Sequence, residues 1–359
     1  MHRQHHIRMY LFVLLLASVL WSSSSIAEFD GEFFIFPQFE AFYIDGLDQP
    51  VTSHEGHHGL ENGDHYEAAV DLFLTFDVGN FRFLGEFLAS TEEAHMERFQ
   101  LGWNANGRLY WLGRFHNPIG YWNTVYHHGA YTQTSISRPA IIAFEEHSGI
   151  LPMHQAGLLA EGMFRSSKKG LGYSFAFATG PQYDGELHTW DPLDPSAGDH
   201  DISLTANIFQ EIISGRTGLF ANYNKIPTSE FELEEIEQLT LGGYLDHEFE
   251  PWQLHAAAYY VNNQLIGTTS KTRDEFFNAY LQAEYLINDH LRFFGRGEYT
   301  LGDDDDDYLG LFPDFVKARL AVGMRYDFAG RQALKLELQA NQSRDNSYGQ
   351  VMLQWSAQF

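Results

Sequence analysis

The sequence lacks cysteine altogether across its 359 residues. The fold therefore forms without disulfides, which excludes a small scaffold stapled by cystines. Positive charge is scarce too: 22 lysines and arginines stand against 48 aspartates and glutamates, for a formal net charge of −26. Such a surface repels the phosphates of nucleic acids, so we exclude nucleic acid as a partner.

Long hydrophobic runs are also missing after residue 27, where no apolar stretch reaches the roughly 18 to 20 residues of a spanning helix. If the chain enters a membrane, it must therefore do so as β-strands. The first 27 residues differ: Arg3 and Arg8 precede the apolar run 10–21, and small residues follow it. This chemistry predicts a signal peptide over 1–27, cleaved before Glu28, with an uncleaved anchor as the alternative.

Removal of that segment takes away two arginines and no acid, so the net charge of residues 28–359 becomes −28. Within this part, apolar and polar residues alternate with a period of two. In segment 348–359, Val351, Leu353 and Trp355 lie on one face, and polar residues occupy most of the other. A strand between lipid and a polar interior needs this pattern, whereas a helix would spread the apolar residues around its circumference. Similar alternation runs through 67–78, 316–328 and 334–341.

Turn signals divide the chain into strands. Seven short polar or glycine-bearing turns alternate with eight longer segments, which predicts sixteen strands. We therefore expect residues 28–359 to form one all-β unit, a transmembrane antiparallel β-barrel of about sixteen strands. A soluble β-sandwich or propeller is the alternative, because alternation also arises where one sheet face packs on a core. Aromatic residues near several strand ends favour the barrel, as an interfacial girdle would: Tyr43, Trp103, Tyr285, Trp355 and Phe359. The predicted long segments are 46–64, 92–96, 115–154, 181–200, 225–237, 263–275, 302–315 and 342–347.

With its strand number, its terminal Phe359 and its longest loop third in order, the chain resembles the Gram-negative general porins. Segment 113–118 (GRFHNP), followed by 120–123 (GYWN), resembles the opening of the third loop in porin-like proteins. The resemblance implies a third loop that folds into the barrel, association of three barrels, and recognition of the last strand by the outer-membrane assembly machinery. The chain departs from the family in the content of this loop, which is rich in histidine and aromatic residues.

The segment 115–154 is long enough to reach the barrel axis, and we interpret it as a constriction loop. It carries acidic residues, and the alternation places basic residues on the inward face of the late strands. An acidic loop opposite a basic wall would create a transverse field that selects ions. The alternative is a set of solvated charges without special pairing. The predicted constriction residues are Arg114, His116, Arg138, Glu145, Glu146, His147, Arg292, Arg296, Lys317, Arg319, Arg325 and Lys335.

No cofactor is expected, although two acidic or histidine-rich segments have metal-ligand chemistry. His54, His57, His58 and His65 cluster with acids in the first long segment, and imidazole with carboxylate suits zinc, copper or nickel. Their irregular spacing also fits an exposed polar loop. Five aspartates at 303–307 have calcium-ligand chemistry without the spacing of a calcium loop, so they would bridge cations to lipopolysaccharide or lie solvated.

These features predict an outer-membrane porin, a passive channel for ions and small hydrophilic solutes, in contact with lipid and lipopolysaccharide and forming a homotrimer. One alternative is a channel that binds or takes up divalent metal through its histidine-rich loops. Another is an outer-membrane enzyme or a non-conducting structural barrel. Ser148 beside His147 is no catalytic triad, and no Gly-x-Ser-x-Gly motif accompanies them, so we expect no enzyme. The solute and the preferred ion charge stay open.

Overall fold

A computed structural model describes most of the chain after residue 28. The signal segment, its cleavage position and several candidate residues lie outside the described residues, among them His54, His57, His58, Glu146 and His147. No helix in the described part of the chain is long and apolar enough to cross a membrane. The described residues are 29–48, 61–91, 94–126, 130–145, 149–164, 170–192, 200–229, 232–303, 306–328 and 330–359.

Sixteen antiparallel strands form one closed barrel. Each strand pairs with its neighbours in the barrel, and a two-stranded hairpin, β8 and β9, stands apart from it. The first nine strands are β1 Phe29–Asp45, β2 Gly63–Val78, β3 Phe81–Ser90, β4 Ala94–Ala105, β5 Arg108–His116, β6 His154–Met163, β7 Leu171–Thr179, β8 Gln182–Tyr183 and β9 Leu187–His188. The others are β10 Ile202–Ile212, β11 Gly215–Pro227, β12 Leu233–Phe249, β13 Trp252–Gly267, β14 Lys271–Asn288, β15 Leu291–Leu301, β16 Ala318–Phe328, β17 Gln332–Gln342 and β18 Ser347–Ala357.

The barrel closes where the first and last strands meet. β1 pairs with β18 from Gln38 opposite Ser356 to Asp45 opposite Gly349. The terminal Phe359 continues this seam, because its amide donates to the Ile35 carbonyl at 2.9 Å and its carbonyl accepts from the Ile35 amide at 3.0 Å. Closure leaves no unpaired sheet edge, which is the condition for strands in a bilayer. The predicted antiparallel barrel and its strand number are confirmed.

The alternation in sequence corresponds to an outer and an inner face. On β18, Leu353 exposes 52% of its surface while the next residue, Gln354, exposes 2%. Large apolar side chains are exposed on the barrel strands, among them Leu112, Phe177 and Leu320. The apolar faces therefore point away from the interior instead of stacking on each other, so the fold is neither a β-sandwich nor a propeller.

The long segments expected from sequence differ most from the structure in the fifth and sixth loops. The fifth loop occupies 228–232 instead of 225–237, and the sixth occupies 268–270 instead of 263–275. The ends of both predicted segments belong to strands, and charged side chains there pair across strands: Lys225 Nζ lies 3.2 Å from Glu235 Oε1. The strands that flank these two loops therefore continue past their apolar outer residues, because paired charges are compatible with strand structure at the rim of the barrel.

The inner face also holds an apolar cluster that the alternation did not predict. Loops and the β8–β9 hairpin pack there against the inward side of β11 to β14. Aromatic residues on these strands face the loops, not water, so the inner face is apolar on this side of the barrel. The buried aromatic residues of the strands are Phe220, Tyr244, Tyr259, Phe276 and Tyr280, and the loop residues on them include Ile119, Trp122, Ile141, Leu187 and Phe312.

Candidate constriction site inside the barrel

The third loop connects β5 to β6 and runs through the interior. It contains a helical turn at Trp122–Val125 and two short 3-10 turns, Ala130–Thr132 and Ala140–Ile142. Near its start, the Asn117 side-chain oxygen accepts from Thr205 Oγ1 of β10 at 2.8 Å, and further along the loop contacts the late strands. The loop therefore crosses the lumen, and its inward course is confirmed.

Carboxylates on three late strands accept hydrogen bonds from this loop: Glu284 of β14, Glu298 of β15 and Glu337 of β17. Glu284 Oε2 accepts from Thr134 Oγ1 at 2.7 Å. Glu298 Oε2 accepts from the Ala140 amide at 2.6 Å. Each acid is buried, so these bonds act in a setting where water competes poorly with them. Glu284 and Glu298 were not among the residues predicted, although the alternation that placed basic residues inward applies equally to these acids.

The basic residues of the same strands bind the backbone carbonyls of the loop. Arg296 Nη1 donates to the Ser137 carbonyl at 2.9 Å, and Arg319 Nη1 donates to the Arg138 carbonyl at 2.9 Å. Acidic and basic side chains thus lie together on the inner face of the late strands, and both kinds hydrogen-bond to the third loop. Two further predicted residues do the same: Arg325 donates to the carbonyls of Tyr131 and Gln133, and Lys335 to those of Ala130 and Ser135.

Two predicted basic residues lie at the margins of this wall. Arg292 Nη1 is 3.0 Å from Glu284 Oε2 and is the more exposed of the two partners. Lys317 precedes β16 and pairs with Asp303 Oδ2 at 2.7 Å. Lys317 therefore lies at the loop end of the barrel, away from the segment that Arg296 and Arg319 contact.

Within the loop, Arg138 is enclosed by loop residues. Its Nε donates to the Ile142 carbonyl at 3.0 Å and its Nη2 to Asn123 Oδ1 at 2.9 Å. The guanidinium carbon lies 3.8 Å from the centre of the Phe144 ring, a cation–π contact. Burial lowers the pKa of Arg138 to about 10, against the opposing effect of Glu97 and Glu145. Arg138 is thus a positive charge held beneath the surface of the loop.

Glu145 contacts the early strands. Its Oε1 accepts from the amides of Met153 and His154 at 2.6 and 2.9 Å, and its Oε2 lies 2.9 Å from His154 Nδ1. Burial would raise the pKa of Glu145, but the charge of His154 and these hydrogen bonds outweigh burial and lower it. Glu145 is therefore paired with β6, on the side of the lumen where the third loop ends.

Three of the predicted residues that the structure describes remain: Arg114, His116 and His65. Arg114 of β5 donates to the Glu97 carbonyl at 3.3 Å and to Thr189 Oγ1 at 2.8 Å. His116 Nε2 lies 3.9 Å from Glu97 Oε2. His65, predicted in the first long segment, lies instead on β2, where its ring stacks on Phe42 of β1 with ring centres 4.9 Å apart. Glu97 was missed because Met96, Glu97 and Arg98 are buried in succession, which breaks the alternation.

Solved structures with the same architecture cover nearly the whole chain. The outer membrane channel DcaP of Acinetobacter baumannii shares 15% identity over 94% of this chain and 99% of its own, with a TM-score of 0.60. The anion-selective porin of Comamonas acidovorans shares 12% identity over 92% and 100% of the two chains, with a TM-score of 0.63. This chain has the porin fold.

A third structure with the porin fold is a trimer form of OmpT, an outer membrane protein of Vibrio cholerae, with 8% identity over 93% of this chain and 100% of its own and a TM-score of 0.58. No family model matches the sequence, and no curated protein matches it. At identities this low the likeness establishes the fold alone.

Proposed function

We propose that the protein is a porin of the bacterial outer membrane, a passive diffusion channel for ions and small hydrophilic solutes. One observation carries the proposal: a closed barrel with an apolar exterior contains a third loop bonded to a charged inner wall. A sixteen-stranded barrel is wide enough for water unless something fills it. A loop fixed across the lumen narrows the space through which water and solutes can pass.

The water path lies along the early strands in this proposal. Loops pack on the inner face of β11 to β14, whereas the inward residues Gln38 and Glu40 of β1 and Glu67 of β2 stay partly exposed. Polar side chains that keep contact with water provide the lining that a hydrated solute needs. We therefore expect a smaller conductance than that of a sixteen-stranded barrel whose third loop alone folds inward.

Planar bilayer recording of the refolded mature protein tests the proposal. Discrete conductance steps are expected, together with swelling of proteoliposomes in small sugars and exclusion of larger ones. Folding is checked in parallel by the shift in electrophoretic mobility between unheated and boiled samples. A folded barrel that inserts into the bilayer without conducting would instead support a structural role.

The proposal includes contact with membrane lipid and lipopolysaccharide and assembly as a homotrimer, and it assigns no catalytic residue. The apolar outer face supports lipid contact, and the trimer form of a structure with the same fold supports the oligomer. Light scattering of the detergent-solubilised protein, corrected for bound detergent, gives the protein mass. A protein mass of one chain would contradict the trimer without contradicting the channel.

A further inference from the structure

The two ends of the third loop carry histidines that face each other. β5 ends at His116 and β6 begins at His154, and these two residues are register partners in the sheet. Their imidazole rings are perpendicular, with centres 4.8 Å apart. A ligand bound to both rings would therefore link the two ends of the third loop.

A carboxylate of the neighbouring strand reaches both rings. Glu97 Oε2 of β4 lies 2.8 Å from His154 Nε2 and 3.9 Å from His116 Nε2. One donor atom from each of the three residues falls within 4.8 Å of the others. Zinc bonds of about 2.0 to 2.1 Å place tetrahedral ligand atoms about 3.3 Å apart, a value that lies between the two measured separations. All three residues are buried. Completing the set requires the His116 ring to move toward Glu97 Oε2.

The orientation of His154 fits a metal ligand. Glu145 Oε2 lies 2.9 Å from its Nδ1, while two backbone amides hold the other oxygen of Glu145. With the Nδ1 proton donated to Glu145, the Nε2 lone pair points toward Glu97. A histidine that ligates through one nitrogen and donates from the other to a carboxylate is a recurrent arrangement in metal sites.

The charges around the site are of both signs. Glu97 and Glu145 supply two negative charges, and two guanidiniums, Arg114 and Arg138, supply two positive charges, with both carboxylates close enough to act on the pKa of Arg138. Arg114 bonds to the Glu97 carbonyl and to the Thr189 side chain, and Arg138 bonds to the Ile142 carbonyl and to Asn123. Both guanidiniums thus direct these hydrogen bonds away from the carboxylate oxygen that the histidines share. In a metal-free form, His154 is doubly protonated and donates to both carboxylates.

We propose that Glu97, His116 and His154 bind one divalent transition-metal ion, preferably zinc, and that Glu145 positions His154. Two imidazoles with one carboxylate suit zinc and its neighbours better than calcium or magnesium, which prefer oxygen ligands. The ion would join β4, β5 and β6 where the third loop begins and ends. Its role would be structural, in that it holds the loop that narrows the channel.

The decisive experiment separates this site from the histidines of the first loop. In a background with His54, His57, His58 and His65 all replaced by glutamine, the full mature barrel is titrated with zinc by calorimetry and with cobalt by visible absorption. One equivalent bound at micromolar concentration, with cobalt bands of a four- or five-coordinate site, is expected. Absence of binding in this background would overturn the proposal and assign any wild-type binding to the first loop.

Variants then assign the ligands. His116→Gln should abolish binding in that background, and Glu145→Gln should weaken it by about 10- to 100-fold, as loss of a group that orients a ligand does. The matched control, His188→Gln, removes a histidine of the β8–β9 hairpin and should leave binding unchanged. Each variant is compared with its parent by the mobility shift on heating, so that loss of binding is scored only on folded barrels.

The zinc-loaded barrel that retains all three proposed ligands can also be studied by X-ray absorption at the zinc edge. This measurement needs no substitution at the site. Two imidazoles and oxygen ligands at about 2.0 to 2.1 Å are expected. A shell of oxygen alone, or of one imidazole, would overturn the proposal and support the doubly protonated His154 instead. The channel assignment does not depend on this result, because conductance is measured separately.

Discussion

The Glu337 carboxylate and the Ile136 backbone amide, 201 residues apart in sequence, are joined by a hydrogen bond of 2.6 Å inside the barrel. The same oxygen, Oε2, also accepts from the Ser137 amide at 3.1 Å. One side chain of β17 thus binds two successive peptide groups of the third loop. Because Glu337 is buried, its charge has little solvent to compete for these bonds, and the contact fixes the position of the loop.

Replacing Glu337 by glutamine should loosen the third loop. The amide cannot carry the charge that strengthens these bonds, and hydrogen bonds to charged groups contribute about 1.5 to 3 kcal/mol each. We expect a larger and noisier single-channel conductance in planar bilayers. Glu61→Gln, at an exposed position outside the barrel wall, is the matched control. A conductance equal to that of the parent protein would show that Glu337 does not hold the constriction.

The preferred ion charge should be positive. Arg296, Arg325 and Lys335 are buried and bond to the backbone of the third loop, whereas Glu40 and Glu67, register partners on β1 and β2, stay partly exposed. We expect a reversal potential under a salt gradient that indicates cation preference, and a shift toward anions in the double variant Glu40→Gln, Glu67→Gln. Anion preference in the parent would instead mean that Arg319 and Arg325 dominate the field.

Acid should favour the packing of the seventh loop, 302–317, against the barrel interior. Burial raises the pKa of Asp306 from 3.8 to about 6, with Asp274 contributing and the Leu309 amide opposing. Burial, followed by Glu186, does the same for Asp314. A carboxyl whose pKa is higher in the packed loop stabilises packing below pH 4, and this stabilisation is lost as the pH rises through about 6.

Conductance recorded from pH 4.5 to 7.5 tests this dependence. We expect a lower conductance at the acid end, beyond the change in the conductivity of the solution. The variants Asp306→Asn and Asp314→Asn together should hold conductance at the acid value throughout, since asparagine is neutral. At position 306 it can also replace the aspartate that caps the short helix Asp307–Gly310. Asp48→Asn, at an exposed loop position, should keep the parent profile. Persistence of the full dependence in the double variant would assign it to other groups.

Shortening Ile141 in the third loop should destabilise the packing inside the barrel. Ile141 is fully buried against the aromatic inner face, and isoleucine to alanine in a core costs about 2 to 5 kcal/mol. Urea denaturation in detergent micelles should show an earlier transition for Ile141→Ala. Leu219→Ala, on the outer face with 72% exposure, is the control of similar size. Equal midpoints for the two variants would mean that the loop contributes little to stability.

Some structural features are local and were predictable. A strand between lipid and a polar interior needs alternating side chains, so segment 348–359 and its counterparts showed their two faces directly. The number of strands followed from the turns between them. The basic residues Arg296, Arg319 and Arg325 were placed inward by the same rule, because a period of two assigns each residue to one face.

Other features depend on residues that are distant in sequence. The register between β3 and β4 shifts between Glu86 and Leu88, near the point where Met96, Glu97 and Arg98 are buried in succession. Gly113 adopts a φ of +137°, and a side chain there would meet the Phe99 carbonyl. These local departures from regular strand geometry assemble the cluster around His154, and a periodic pattern carries no signal for them.

By itself the sequence determined an antiparallel barrel, its strand number and which face of each strand points outward, because apolar and polar residues alternate along each strand. Only the tertiary structure decided that charged side chains of the late strands bind the backbone of the third loop and that aromatic residues of β11 to β14 pack on loops. It also decided that Glu97 lies beside His116 and His154. Those contacts link parts of the chain far apart in sequence, and their geometry exists only once the barrel has closed and the loops have folded into it.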